Sequence, residues 1–309
     1  MSTRTELLKL FPENAGIYLS GQSIGDQLQI SRNAIWKAVN QLRKEGYDIE
    51  SKTGAGYLFK KKENLLTFDA IQSHLRYPCD LKVFDEVGST NDIAKASHVG
   101  LKALMIVADR QTAGRGRLGR SFFSENGLFT SIILAPDQIP FAPSFLTSAF
   151  AVAVCRTLRE MGFAIGIKWV NDLYLEGKKV CGILTEAVMN GNEILGYVVG
   201  IGINLDGAKF PEELAEIATA IPFPCEKKED LLWNILQNLD IVLHESTDSL
   251  VGYLTENSVV LGKYVRFFGA KEGEGLALRL DALGGLVVKT AENEILTLTT
   301  GEISLRIKN

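Results

Sequence analysis

At 309 residues, with 46% hydrophobic and 23% charged side chains, the chain has room for two or three domains and enough apolar content for a large core, which excludes a disordered protein. No apolar run approaches the roughly 18 residues of a membrane span, the N-terminus carries no positively flanked apolar leader, and the expected location is cytoplasmic. The four cysteines (Cys79, Cys155, Cys181, Cys225) lack C-x-x-C spacing and the three histidines (His74, His98, His244) stand clear of Cys, Asp or Glu clusters, so disulfides, a protein-held metal and triad hydrolysis are not expected.

Net charge is −4, but residues 1–64 carry ten Lys/Arg against seven Asp/Glu, a local surplus of three that marks a separate module with an anionic partner. Ile24 and Leu28 fit a short helix and Gln29-Ile30 a tight turn. Ser31 then caps a second helix, in which Ala34, Ile35, Ala38, Val39 and Leu42 repeat at helical spacing until Gly46. Tyr47 to Ser51 and Tyr57 to Phe59 alternate as strands around Lys52 to Gly56, a hairpin wing. The pattern predicts a winged helix-turn-helix, with Ser31, Arg32, Asn33, Trp36 and Lys37 on the recognition helix and Lys52 on the wing as DNA contacts. A small helical domain for protein contacts, with Trp36 as a packing residue, is the competing reading; Lys60 to Lys62 reads as a solvated linker.

Residues 65–257 mix strands and helices. Leu81 to Asp85 and Leu104 to Ala108 read as strands, Asn91 to His98 and Ser144 to Met161 as helices, the latter buried. Gly88-Ser89-Thr90-Asn91 is a polar helix start. Gly114 to Arg120 alternates glycines with Arg115, Arg117 and Arg120, placing rigid donor forks on a backbone able to approach a ligand closely. Such a loop suits phosphate, although a solvated basic loop or one gripping nucleic-acid backbone has the same composition. The string also fits G-x-G-x-x-G. Five residues separate it from the preceding strand and no helix follows, so it is not the dinucleotide fingerprint.

A hairpin follows, 166–175 and 178–186 about a Glu176-Gly177 turn, and it holds the polar cluster Lys168-Trp169-Val170-Asn171-Asp172. Lys168, Asn171 and Asp172 are costly to bury unpaired, so they face solvent or serve a site. A strand from Glu193 to Ile203 carries Gly200 and Gly202, which permit a ligand or another backbone to come close, and ends at Asn204. From Ser258 to the end, short strands (Val259–Phe268, Gly275–Asp281, Gly285–Thr290, Glu294–Thr299) alternate with glycine turns, as in a small barrel.

Ser89-Thr90-Asn91, Gln111 to Arg120, Lys168 to Asp172 and Lys179 to Glu186 together resemble, in order, the motif set of the biotin protein ligases. Ser31 to Lys37 with Gly54 to Tyr57 is similar to the bifunctional branch that also represses the biotin operon. The chain departs from that family at Leu118 (usually Arg), Val170 (Pro), Phe122 (Trp) and Gln29 (often Gly). The resemblance implies an α+β multidomain fold: a winged helix-turn-helix over 1–64, a mixed α/β ligase domain of the biotin/lipoate type over 65–257, and an SH3-like β-barrel over 258–309. It implies ATP and biotin as substrates with Mg²⁺, formation of biotinyl-5′-AMP, and transfer of biotin to a lysine of a carboxylase carrier domain. Operator DNA is the second partner, bound by a homodimer that forms with biotinyl-5′-AMP. Lys179, Asp172, Arg117 and Arg120 are the implied catalytic residues. Biotin would meet Ser89, Thr90, Asn91, Gln111, Arg115, Gly116, Arg117 and Lys179; the nucleotide would meet Arg117, Arg120, Phe122, Lys168, Asn171 and Asn204. A lipoate or octanoate ligase, and a non-catalytic biotin-sensing transcription factor, are the alternatives.

Overall fold

The computed structural model describes residues 3, 6–7, 10–11, 14, 16–44, 49–59, 80–97, 103–224, 227–269, 272–299 and 303–307. The Gly46 helix stop, Tyr47 and Asp48 of the wing, the Lys60 to Lys62 linker, Cys79, Cys225, His74 and His98 lie outside them, as does the side chain of Leu118. By internal packing the chain divides into two units, Met1–Leu66 and Thr67–Asn309.

In the first unit, α1 (Gly21–Leu28) starts at Ser20, whose hydroxyl accepts from Ser23 N at 3.0 Å, and ends at Gln29, which takes φ +56° as a left-handed cap. The turn is tight enough that a Cβ on Gly25 would lie 2.9 Å from Ile30 O. The second helix, α2 (Arg32–Lys44), is capped by Ser31 Oγ, accepting from Ala34 N at 3.2 Å. Strands β1 (Tyr18–Leu19), β2 (Ile49–Lys52) and β3 (Gly56–Phe59) pair in the order β1-β3-β2. Glycine is required at 56, where a Cβ would meet Leu19 O at 2.0 Å. Ile24, Ile35, Val39, Leu42, Ile49 and Phe59 fill the core with Leu7, Leu10 and Phe11.

The second unit is built on a seven-stranded sheet. Its strands are β4 (Asp80–Val87), β5 (Ala103–Gln111), β6 (Gly127–Leu134), β7 (Gly166–Lys168), β8 (Asp172–Leu175), β9 (Lys178–Asn190) and β10 (Glu193–Asn204), in the order β4-β5-β6-β10-β9-β8-β7. Only β4 and β5 are parallel, and α3 (Thr90–Ser97) makes the crossover between them. Every residue of β6 is buried, as expected of a central strand covered on both faces. The alanine- and valine-rich α4 (Leu146–Glu160) is buried along most of its length, packed on β9, α6 (Lys228–Val242) and α7 (Thr247–Glu256); a short α5 spans Glu212–Ala215.

Two expectations shift. Lys168-Trp169-Val170-Asn171-Asp172 is not the interior of a strand: β7 stops at Lys168, residues 169–171 turn, and β8 starts at Asp172. The turn is held by Trp169 Nε1, which donates to Gly284 O at 2.7 Å, and by Ile183 N, which donates to Asn171 O at 2.9 Å. The strand expected from Val259 begins at Tyr264, because residues 257–259 are engaged with β7: Ile167 N donates to Asn257 O and Val259 N to Ile167 O.

The C-terminal strands β11 (Tyr264–Gly269), β12 (Gly273–Leu280), β13 (Leu286–Thr290), β14 (Ile295–Leu298) and β15 (Ile303–Ile307) form an antiparallel sheet ordered β14-β13-β12-β11-β15. Among the described residues no pairing joins β14 to β15, and closure into a barrel is not shown.

Candidate active site

The cleft of the second unit lies where the ends of β5, β9 and β10 meet the start of α3, beneath the glycine-arginine loop, and its lining includes Ser89, Thr90, Asn91, Gln111, Arg115 and Lys179. Its floor is a polar relay. Thr90 N and Oγ1 both donate to Gln111 Oε1, at 2.8 and 3.0 Å, and Gln111 Nε2 donates to Ser124 Oγ at 3.1 Å. Ser131 Oγ lies 2.7 Å from Thr90 Oγ1 and 2.6 Å from Asn91 Oδ1, and Asn91 Nδ2 donates to Glu186 Oε2 at 2.7 Å. These bonds fix which atoms of each amide face which partner. Asn91 uses both ends of its amide in the relay, so it shapes the pocket by holding α3 in place. Gly200 makes this possible, because a Cβ there would sit 2.3 Å from Asn91 Oδ1.

The loop itself is a small closed hairpin. Phe122 N donates to Gly114 O at 2.9 Å, Gly116 N to Arg120 O at 2.7 Å, and Arg115 bridges Ser121. Gly114 is walled by Ser124 and Phe122, and Gly119 takes φ +71°, a left-handed conformation that favours glycine. The Phe122 ring lies on Gly182 and Gly202, where Cβ atoms would come within 2.9 and 2.5 Å of it, and Lys179 Nζ stands 5.4 Å from its centroid. With the ring so placed the cleft encloses about 40 Å³. Pockets that bury a ligand whole hold roughly 300 Å³ or more, so the cleft in this arrangement does not enclose one of that kind.

Three charged groups converge beside the ring. Lys179 Nζ is 2.7 Å from Asp172 Oδ1, and Arg117 Nη1 donates to Asn171 Oδ1 at 3.3 Å. Arg117 Nη2 is buried without a hydrogen-bond partner among the described residues, and burial draws the guanidinium pKa below its ordinary value, with Asp172 opposing and Arg120 adding to the effect. A buried, unpartnered guanidinium edge is costly unless an anion completes it. Asn171 is locked in turn by its Nδ2, which donates to Ile183 O at 3.0 Å.

The other anticipated site residues divide. Arg120 is exposed, close enough to Arg117 to act on its charge. Arg115 lines the cleft but pairs with Asp92 through two contacts. Lys168 donates to Tyr174 OH at 3.1 Å, and Tyr174 lines a separate cleft of about 370 Å³, so Lys168 is not among the residues brought together here. Burial pushes the Tyr174 hydroxyl up to about 12. Asn204 ends β10 in the interior; its Nδ2 is 3.5 Å from Thr219 O, and its Oδ1 has no partner among the described residues. Ser124, Ser131, Asp92, Lys95 and Glu186 have no assigned role in the sequence reading. For Ser131 a signal existed, a hydroxyl in the apolar run of β6. Among the described residues no group of three or more His, Cys, Asp or Glu side chains could hold a metal ion.

In the N-terminal unit, Asn33, Trp36 and Lys37 are exposed along α2, Trp36 at 57%. Arg32 Nη2 donates to Gln22 Oε1 at 2.6 Å, which ties the first turn of α2 to α1. Lys52 on the wing is exposed, its Nζ 6.0 Å from the Tyr18 ring centroid.

Comparisons with known proteins accord with this geometry. The model of the biotin/lipoate A/B protein ligase family matches residues 84–204, and that of an HTH domain matches residues 3–58. The bifunctional ligase/repressor BirA of Bacillus subtilis (strain 168) is 38% identical over 242 residues, 74% of this chain and 73% of that protein. Its namesake from Salmonella typhimurium is 29% identical over 304 residues, 94% of each. Among solved structures, a biotin protein ligase from Aquifex aeolicus in complex with biotin and ATP matches with a TM-score of 0.65 at 30% identity, over 74% of this chain and 99% of that one.

Proposed function

From the premise that this chain belongs to the family of bifunctional ligase/repressor BirA proteins, we propose that it joins biotin to a carboxylase carrier domain through biotinyl-5′-AMP. The observation that carries the reading is the buried, unpartnered edge of Arg117 beside Lys179 and Asp172. An acyl phosphate supplies the oxygens that such a set of groups lacks.

In the first step the biotin carboxylate attacks the α-phosphorus of ATP, the bond to the β-phosphate oxygen breaks, and pyrophosphate leaves. Negative charge gathers on the non-bridging oxygens, which Arg117 and Lys179 neutralise. Arg120 meets the leaving pyrophosphate. ATP enters as its magnesium complex; Mg²⁺ arrives with the phosphates. In the second step the carrier lysine, as a free amine, attacks the acyl carbon and AMP departs with the bonding pair. Asp172 takes the amine proton, and Lys179 holds the phosphate oxygen. Biotin's ureido ring sits against Ser89, Thr90, Gln111 and the backbone at Arg115 and Gly116. Asn171 steadies Arg117, Phe122 provides a face for adenine, and Asn204 Oδ1 is an acceptor toward the nucleotide side.

Residues 1–64 bind operator DNA through α2 and the wing, 65–257 catalyse, and 258–309 cap the catalytic domain. Homodimers formed with biotinyl-5′-AMP bound place two recognition helices on two half-sites. Biotin is separated from its rival substrate by offering labelled biotin and labelled lipoate with ATP and a carrier domain: biotin incorporation alone is expected, and lipoate incorporation alone overturns the reading. A gel shift on the protein's own biotin-gene promoter is expected to show a complex only when biotinyl-5′-AMP is present; no such complex contradicts repression.

A further inference from the structure

Arg115 is spent on a partner that neither chemical step uses. Its Nη1 and Nη2 donate to Asp92 Oδ2 and Oδ1 at 2.8 and 2.5 Å, the two-pronged geometry in which a guanidinium and a carboxylate fix each other's orientation. Two further charges close a ring. Lys95 Nζ lies 3.4 Å from Asp92 and 2.8 Å from Glu186, and Glu186 Oε2 is 3.8 Å from Arg115. Asp92 sits in the first turn of α3, where the helix dipole favours negative charge. The hydrogen bonds from Arg115 hold its carboxyl below the ordinary carboxylate value.

This ring grips a stiff body. The loop from Gly114 to Phe122 is tied across itself at both ends, so fixing Arg115 also fixes Arg117, two residues on, and Phe122 at the hairpin's return. We propose that Asp92 is a positioning residue for adenylation: its two-pronged hold on Arg115 keeps the 114–122 hairpin down on the cleft, presenting Arg117 to the α-phosphate and shielding the finished biotinyl-5′-AMP from water. Glu186 supports the same latch from β9. The proposal rests on reading Arg117 as the phosphate ligand. The chain on either side is anchored on its own account, Thr112 N and Ala113 N donating to Val87 O and Gly88 O and Gln111 N to Ser124 O, so what the latch holds is the 114–122 hairpin.

The test compares full-length wild type with Asp92→Asn, Asp92→Glu, Arg115→Gln and the Asp92→Asn/Arg115→Gln double variant. The readouts are the lifetime of enzyme-held biotinyl-5′-AMP, the rate of tryptic cleavage after Arg117 and Arg120, and the thermal midpoint. A partly exposed pair of this kind couples by about fivefold. Asp92→Asn is therefore expected to shorten the adenylate lifetime and speed cleavage by about fivefold with the thermal midpoint lowered by no more than about 4 °C, and Asp92→Glu to restore much of both. The double variant should be no worse than Arg115→Gln alone. An unchanged lifetime in Asp92→Asn, or a double variant carrying the full effect of both changes, overturns the proposal. An Arg117→Ala variant that releases pyrophosphate like wild type would instead sink the reading of Arg117, and Asp92 would still be judged by cleavage and lifetime.

Discussion

Gly200→Ala is a one-atom perturbation whose consequences can be worked from the relay in the cleft floor. The new Cβ would lie 2.3 Å from Asn91 Oδ1, 3.0 Å from its Cγ and 3.2 Å from its Nδ2, well inside contact distance. Asn91 cannot swing aside freely, since Ser131 holds its Oδ1 at 2.6 Å and its Nδ2 is bonded to Glu186 at 2.7 Å. Overpacking of this kind costs about 1–3 kcal/mol if the backbones part, and breaking a hydrogen bond to a charged group costs about 1.5–3 kcal/mol if Asn91 rotates instead. Either way about 1–3 kcal/mol is lost, which for a unit of this size lowers the melting temperature by roughly 2–12 °C. Biotin binding should weaken in step, because Thr90 and Gln111 share the relay. Calorimetric melting of wild type, Gly200→Ala, Asn91→Ala and the double variant decides the matter. Removing the Asn91 amide should make Gly200→Ala nearly harmless, a strong coupling between touching residues. A Gly200→Ala protein that melts within a degree of wild type, or a double variant whose losses simply add, would refute the reasoning.

Gly202→Ala should behave differently: its Cβ would meet the Phe122 ring at 2.5 Å, but that ring is carried by a surface loop, so the melt should move by no more than about 1 kcal/mol equivalent, the low end for overpacking, while pyrophosphate release falls. Burial alone would raise the carboxyl pKa of Glu186, but hydrogen bonds from Lys95 and Asn91 outweigh it and hold the value low. A carboxyl lowered in the folded state contributes stability that is complete above its unfolded value near about 4 and is lost as pH falls through the lower folded one. The gap in urea midpoint between wild type and Glu186→Gln should therefore narrow below about pH 4; a gap that widens toward acid would contradict the assignment. For DNA, Lys37→Ala and Lys52→Ala should weaken operator binding and each lower the salt slope by about one, whereas unchanged slopes would remove these lysines from the phosphate contacts.

Much of the architecture was legible because local chemistry repeats what the fold needs. The apolar spacing of Ile35, Val39 and Leu42, with Ser31 ahead of it, specified α2 as it stands in the structure. The arginine-glycine alternation marked the loop through residue type alone. What the chain did not reveal depends on distant partners. Ser131 acquires its role only when β6 lies beside α3, 40 residues away in sequence from Asn91, and Asp92 only when the loop folds back across 23 residues. Lys168 belongs to the same polar string as Asn171 and Asp172, yet the turn at 169–171 sends it toward Tyr174. β6, α6, α7 and β15 were not anticipated; in α6 the spacing of Leu231, Leu232, Ile235, Leu236 and Leu239 carried the signal, whereas β15 is a short strand that gains its identity by pairing with β11.

The most direct test of the central claim is biotin-dependent pyrophosphate release from ATP, measured in a single turnover with wild type and Arg117→Ala. Loss of a charged hydrogen bond worth about 1.5–3 kcal/mol predicts a rate lower by roughly ten- to a hundredfold in the variant, with its fold intact. A variant that releases pyrophosphate within twofold of wild type would show that the buried edge of Arg117 does not serve the α-phosphate, and the account of the site would fall with it.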